Sequence, residues 1–515
     1  MLALVAAAPV AAQQPNLVFV LTDDQRLETI EMMPETRAAF GVEFTQFVVT
    51  TPTCCPSRAS FLTGRWAHAT GVRTTTRAGY EAFKLLEPES LGPWLRKQGY
   101  MTGFVGKYFN KYDRSDAVPP GWDEFHGRLY GQDRGNGSTE FGLREFRREL
   151  EAVVQNEVVS YPNEDVPDAY ATRVFGAKAE AFLRRATDPA LNPDGKPFAL
   201  LLWTIGVNTP LPEDVYADAP LPPWEQPPSF LEADMSDKPA QIKRHAKASA
   251  EQASAVRATQ LRQSITIDDV VGDLVDLIDE LGLRDSTWGI FSSDNGRFWG
   301  EHGLLGKVFA YEESVRVPFR MMLPTGERVA VDALAANVDV APTMMALAGD
   351  DSGRDYGGRS LLPLLADPSR PWRRNVLIEL FSTTYCAFRG ERWKYVQYLT
   401  GDEELYDLTN DPFELDSLHR ARPSVLIRYR GLVRRSACDP PAFEALPNCT
   451  QEGTDRDDRI RGTRRPDWIC AGRGRDVIKV RGGGRDVVKC GPGRDVVHAD
   501  RGDRLRGCEV VNPGP

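Results

Sequence analysis

Five separated stretches of this 515-residue chain share one pattern, an apolar run that stops abruptly at polar residues. The runs are Asn16 to Thr22, Phe44 to Thr50, Tyr100 to Val105, Pro197 to Thr204 and Thr287 to Ser293. Runs this short and this uniformly apolar read as strands buried on both faces. Helical spacing separates them, over residues 28–40, 91–98, 169–186 and 246–281. In the last of these, Ile265, Ile267, Val270, Val271, Leu274, Leu277 and Ile278 recur at core-facing intervals. Strands alternating with helices predict an α/β fold, a large mixed, mostly parallel sheet flanked by helices. Such sheets bind ligands outside the carboxyl ends of their strands. The five runs lead into Asp23-Asp24, Cys54, Lys107, Asn208 and Asp294-Asn295. One rim therefore collects all of them. Residues 108–165, rich in Gly, Arg and Tyr with weak periodicity, are expected as long loops and short helices.

From Trp372 the pattern changes to short strands near 375–380, 385–389, 393–398 and 404–408, closed by a helix around 423–434. These suggest a smaller C-terminal antiparallel sheet subdomain. Beyond Cys449 the motif Gly-x-Gly-Arg-Asp-Val-Ile/Val recurs with its aspartate at 476, 486 and 495, a spacing that marks a stacked, β-roll-like repeat tail. The expected domains are a catalytic α/β domain (13–371), an α+β subdomain (372–449) and a Cys-stapled repeat tail (450–515). They follow a signal peptide (1–12), truncated or with its start upstream, ending in Val10-Ala11-Ala12. Outside Cys54 and Cys55, cysteines stand at 386, 438, 449, 470, 490 and 508. Their crowding toward the C-terminus suits disulfides in an oxidising compartment and a secreted, extracellular protein, with the pairings left open. No run reaches the ~18 apolar residues of a membrane span. The net charge of −10 opposes general nucleic-acid binding.

Asp23, Asp24, Asp294 and Asn295 offer hard oxygen donors, which suit Ca2+ or Mg2+ rather than Zn2+. Arg58, Lys107 and Lys307 supply cations, and a divalent ion with Arg and Lys around one pocket is an arrangement for a tetrahedral oxyanion. Sulfate and phosphate esters are the natural substrates of such a pocket. Cys54 precedes an expected helix with Pro56 suited to its first position, where the helix dipole favours negative charge. Taken alone, Cys-Cys-Pro reads as a small buried turn with a structural Cys pair.

Cys54-Cys-Pro-Ser-Arg58, continued by Ala-Ser-Phe-Leu-Thr-Gly-Arg65, resembles the signature of the type I sulfatases, the formylglycine-dependent branch of the alkaline phosphatase superfamily. The resemblance spans residues 15–445. It includes the early Asp-Asp, Gly106-Lys107, Ser293-Asp294-Asn295-Gly296, the stretch from Lys307 to Pro318, and Tyr406-Asp-Leu-x-x-Asp-Pro412. Gly106-Lys-Tyr-Phe-Asn110 adds a likeness to the N-acetylglucosamine-6-sulfatase-like branch. The resemblance implies a sulfuric ester hydrolase acting on a sulfated carbohydrate or other sulfate ester, with Cys54 converted to formylglycine (3-oxoalanine) by a maturation enzyme. It implies one divalent cation, Ca2+ ahead of Mg2+, held by Asp23, Asp24, Asp294, Asn295 and residue 54. It implies catalytic roles for Cys54, Arg58, Lys107 and Lys307, and substrate contacts from Lys107, Asn208 and Lys307. In that mechanism the hydrated aldehyde attacks sulfur and its second hydroxyl then expels sulfate.

Two family histidines are missing. Gly206-Val-Asn208-Thr-Pro210 replaces Ala-Pro-His-x-Pro, and Tyr108, Phe109 and Asn110 stand where a histidine follows Gly-Lys. Asparagine cannot pass a proton to a leaving oxygen, so His68, His126 and His302 are candidates to compensate. Two other readings stay open: a phosphodiesterase or phosphonate hydrolase of the same superfamily, and a catalytically weakened sulfated-glycan-binding protein. The tail loosely resembles haemolysin-type calcium-binding repeats. Arginine precedes its repeat aspartates, however, and residues 453–510 carry 15 Lys/Arg against 10 Asp/Glu, a net of +5. That balance opposes tight calcium binding and favours an anionic polymer such as a sulfated glycan.

Overall fold

The computed structural model describes residues 14–131, 139–208, 211–381, 385–438 and most of 451–513. The expected signal segment and Cys449 lie outside the described residues. The chain forms two compact units, one from described residues within 1–383, 387–396 and 404–426, the other from those within 384–386, 397–403 and 427–515.

The first unit is built on a ten-stranded sheet. Its centre is four parallel strands in the order Thr287–Ser293, Asn16–Thr22, Phe198–Trp203 and Met101–Gly106. Register pairs Thr22 with Ser293, and Trp203 with both Leu21 and Gly106, so the carboxyl ends finish level. Every residue of Asn16–Thr22 is buried, because alternate side chains feed separate cores. Leu17, Phe19 and Leu21 pack with Phe61, Leu62 and Met344 on one face. Val18 and Val20 join Phe175, Ile267 and Val271 on the other. The helix Ala250–Glu280 covers that second face and starts at a capping box of Ser249 and Gln252.

Several local expectations are corrected. Residues 28–40 form a 3-10 turn, Leu27–Met32, and a short helix, Pro34–Ala39, because Pro34 opens a new helix. The run from Phe44 to Thr50 is not one strand: Val42–Phe44 ends at its first residue, and Phe47–Val48 is a separate short strand. Within 108–165, expected as loops and short helices, lie the strands Glu124–Arg128, Phe141–Glu149 and Ala152–Tyr161, which extend the sheet to its edge. The last is exposed along most of its length, so it shows no apolar alternation to read. Downstream, Asn375–Leu380, Tyr385–Gly390, Trp393–Tyr398 and Glu403–Asp407 form a four-stranded sheet in chain order, as anticipated.

In the second unit the repeats coil. Alternate strands belong to alternate sheets, both parallel, each of four strands. Two repeats therefore make one coil, and Ile469, Ile478, Val488 and Val497 meet in a shared core. Disulfides Cys386–Cys438 and Cys490–Cys508 staple this unit. Among the described residues no helix is long and apolar enough to cross a membrane.

Candidate active site

The helix Cys54–Thr63 starts two residues earlier than Pro56 implied, so Cys54 itself is its first residue and Thr53 its extended N-cap. Proline two positions further in still costs no hydrogen bond, because first-turn N–H groups have no intrahelical acceptor. Gly64, at φ 68°, ends the helix in the left-handed conformation that favours glycine. All ten residues of the helix are buried. Its N-terminus meets the level strand ends, and every rim residue anticipated from the sequence is there.

Arg58 ties the site together. Its guanidinium, fully buried, donates Nε to Asp294 Oδ2 (2.8 Å), Nη2 to Asp23 Oδ2 (3.0 Å) and Nη1 to the Lys107 carbonyl (2.6 Å). A buried charge is tolerated only when matched in this way. Lys107 Nζ also donates to Asp23, and Lys307 Nζ to Asp24. Lys307 Nζ lies 2.9 Å from Cys54 Sγ and 3.4 Å from Asn295 Oδ1. Asn295 Nδ2 donates to Asp24 Oδ1 (2.7 Å), and the Asp24 N–H donates to Asp294 Oδ1 (3.1 Å). Asp24 has φ 61°, an uncommon conformation outside glycine that Asp tolerates.

The protonation pattern follows. Burial alone would raise Asp23, yet Lys107, Arg58 and Lys307 hold it well below the usual carboxylate range. Asp294 is pushed up by burial and by Asp23. Burial would lower the two ammoniums, but Asp23 beside Lys107 and Asp24 beside Lys307 keep both raised and charged. The Cys54 thiol is pushed up to about 11 by burial and then by Asp23. Burial, and then Asp23, thus oppose the negative charge that the helix N-terminus favours there. At neutral pH residue 54 carries a neutral thiol.

Carboxylate oxygens of Asp23, Asp24 and Asp294 and the Cys54 Sγ all lie within 4.8 Å of one another, buried. Three carboxylates so close repel, and Arg58, Lys107 and Lys307 already offset part of that repulsion. Mostly oxygen, with Asn295 alongside, this donor set fits a hard divalent cation.

Asn208 is exposed at the edge of the pocket, its Nδ2 donating to Asp23 Oδ1 (2.9 Å). Sequence reasoning missed Arg297. Its Nη1 donates to Asp24 Oδ2 (3.0 Å) and to Asn208 Oδ1 (2.9 Å), and its buried Nε has no hydrogen-bond partner. The only sign in the sequence was a charge directly after Asp294-Asn295-Gly296. The compensating histidines are corrected too. His68 pairs with Glu379 (2.9 Å), His126 with Glu124 (3.3 Å) and His302 with Glu232 (2.6 Å). Burial, with Lys238 nearby, pushes His302 down to about 3. None of the three is a hydrogen-bond partner of this site among the described residues.

A family model described as Sulfatase matches residues 15–350, and one described as N-sulphoglucosamine sulphohydrolase, C-terminal, matches residues 300–428. An extracellular sulfatase Sulf-1 homologue of Caenorhabditis elegans is 32% identical over 404 residues, covering 71% of this chain and 52% of that one. The chain thus spans about half the length of the nematode relative. An arylsulfatase of Volvox carteri is 30% identical over 522 residues, covering 84% of this chain and 75% of that one. The N-acetylglucosamine-6-sulfatase of Homo sapiens is 26% identical over 507 residues (83% and 86%). Among solved structures, a protein bound to its substrate D-glucosamine-2-N,6-O-disulfate shares the fold, with a TM-score of 0.66 at 19% identity, covering 84% of this chain and 99% of that one. The matched region takes in the strand ends, the Cys54 helix and both lysines of the pocket, and on that ground the chain belongs to the sulfatase family.

Proposed function

We propose that this chain is an exported hydrolase of sulfate esters on a carbohydrate, working through a formylglycine made from Cys54 and one divalent cation, Ca2+ ahead of Mg2+. The observation that carries this is the clustering of Asp23, Asp24, Asp294 and Cys54 within 4.8 Å, ringed by Arg58, Lys107 and Lys307. Asp23, Asp24, Asp294, Asn295 and residue 54 would hold the cation; Cys54 Sγ marks the place where a converted residue would present oxygen. Bound there, the cation would polarise the ester and lower the pKa of an oxygen nucleophile. A neutral, buried thiol is a poor nucleophile, which favours conversion of Cys54 over direct use.

The chain's own residues do the rest. Arg58 orients Asp23 and Asp294 through its fixed fork. Lys107 and Lys307 stay protonated and aim at the volume beside residue 54, where they would stabilise charge on sulfuryl oxygens. Asn208 and Arg297 bound the outer edge and would contact the ester's other oxygens, with no proton to give the leaving group. The N-acetylglucosamine-6-sulfatase relatives and the neighbour bound to a disulfated glucosamine support an amino-sugar substrate. We assign catalysis to residues 13–371, with an α+β subdomain over 372–449 and a repeat tail over 450–515.

Paired kinetics on 4-nitrophenyl sulfate and bis(4-nitrophenyl) phosphate, with Cys54 conversion confirmed, test the reading. Preferential sulfate turnover is expected. A preference for the phosphodiester would instead make the chain a phosphohydrolase, and turnover of neither ester would leave only glycan binding.

A further inference from the structure

The repeat tail sorts its charges. Every described acidic side chain from Asp457 to Glu509 accepts a backbone N–H. Asp476, Asp486, Asp495 and Asp503 take the N–H of Asp458, Asp467, Asp476 and Asp486 one coil earlier. Asp458 and Asp467 close turns on Thr454 and Thr463, Asp457 takes Arg475, Asp500 takes Gly482 and Glu509 takes Asp495. The basic side chains do the opposite. Arg459, Arg461, Arg475, Lys479 and Arg494 are all exposed, and none makes an ion pair among the described residues.

Their placement is regular. In the parallel sheet of Arg459–Arg461, Val477–Lys479 and Val496–Ala499, register aligns Arg461 with Lys479 and His498. Neighbouring strands lie about 4.8 Å apart, so these side chains form a row across one face. At the turn before that sheet, the same register stacks Arg475 with Arg494. The acids are thus tied to the backbone while the bases are presented to solvent in rows. A chain of net charge −10 repels polyanions in general; on this face the exposed side chains named here are basic.

We propose that this face is a docking surface for the sulfated glycan itself, a site separate from the Cys54 pocket that holds the polymer whose esters the pocket cleaves. The inference rests on the sulfatase reading for the identity of the polymer. The repeat is built for display: glycines and aspartates close the turns, valines and isoleucines fill the coil, and Arg475 and Arg494, before Asp476 and Asp495, are exposed. A second binding site on the same chain raises the effective concentration of a long substrate and does nothing for a small one.

The test uses the full-length converted enzyme and two triple variants, Arg461→Glu/Lys479→Glu/Arg494→Glu and the same positions changed to Gln, with folding checked by circular dichroism. Three readouts are needed: retention on immobilised heparin against salt, KM on a polymeric sulfated glycan, and kcat/KM on 4-nitrophenyl sulfate. Both variants should elute at lower salt and raise KM on the polymer, by up to about 10²-fold for the charge reversal, with aryl sulfate kinetics unchanged. Wild-type heparin retention and polymer KM in both variants would overturn the proposal. So would displacement from heparin by duplex DNA at equal charge, which would make the face a general polyanion surface. Failure of the sulfatase reading shows separately, as absence of aryl sulfate turnover by the unsubstituted enzyme.

Discussion

Asn208 commits both ends of its amide to neighbours, the nitrogen to Asp23 and the oxygen to Arg297. It can hold a sulfate oxygen but cannot protonate an alkoxide leaving group, and no histidine replaces it at the site. Esters whose leaving group needs no proton should therefore be the better substrates of the wild type. Asn208→His should raise kcat on a sugar sulfate by about 10²-fold and kcat on an aryl sulfate far less. Equal, unchanged rates on both would show that protonation is not limiting. Asp23-Asp24, Lys107 and Asp294-Asn295 were legible in the sequence because each closes an apolar run, and a run fixes where its last residue goes. Arg297 was not, because an arginine after a glycine reads as a solvated charge until the fold brings Asp24 and Asn208 to it. The pKa of the Cys54 thiol was not legible for a related reason: local helix geometry was visible, whereas the burial that dominates its pKa belongs to the whole domain.

The coils of the second unit show what one element's chemistry does to stability. Asp486 is buried, its Oδ1 accepts the Asp467 N–H, and its Oδ2 has no partner. Burial, with Asp503 and Asp467 close by, raises its pKa from 3.8 to about 6, against the lowering effect of the Asp467 N–H. A carboxyl raised on folding binds its proton more tightly in the native state, so its contribution falls as pH rises from 3.8 to about 6 and is flat above. Hydrogen-exchange protection across 467–505, corrected for intrinsic rates, should therefore be higher at pH 4 than at pH 7. Asp486→Asn, which cannot ionise, should shrink that difference; an identical pH dependence in the variant would contradict the assignment. The repeat was readable as a coil because its period is explicit. The edge strand Ala152–Tyr161 was not, since both of its faces are largely wet and neither carries an apolar alternation.

At the scale of the whole molecule, the sheet brings Asp23, Asp24 and Asp294 together at a cost in mutual repulsion, part of which Arg58, Lys107 and Lys307 offset and which the proposed divalent cation would offset further. Saturation at a hundredfold excess over Kd should stabilise the folded state by about 2.7 kcal/mol. Chelation should thus lower Tm and stop turnover together, and Ca2+ should restore both; a Tm indifferent to chelator would remove the cation from this site. The same sheet buries Cys54 and the whole helix it begins, so the proposed conversion of Cys54 would have to precede closure of the fold over that segment. Residue 54 is proposed to work as formylglycine. Peptide mass spectrometry across residues 51–58, on alkylated protein from the native host, tests it directly. A peptide alkylated once, at Cys55, and carrying at residue 54 the mass change from thiol to aldehyde in place of an alkylated thiol is expected. A peptide alkylated at both cysteines would contradict it.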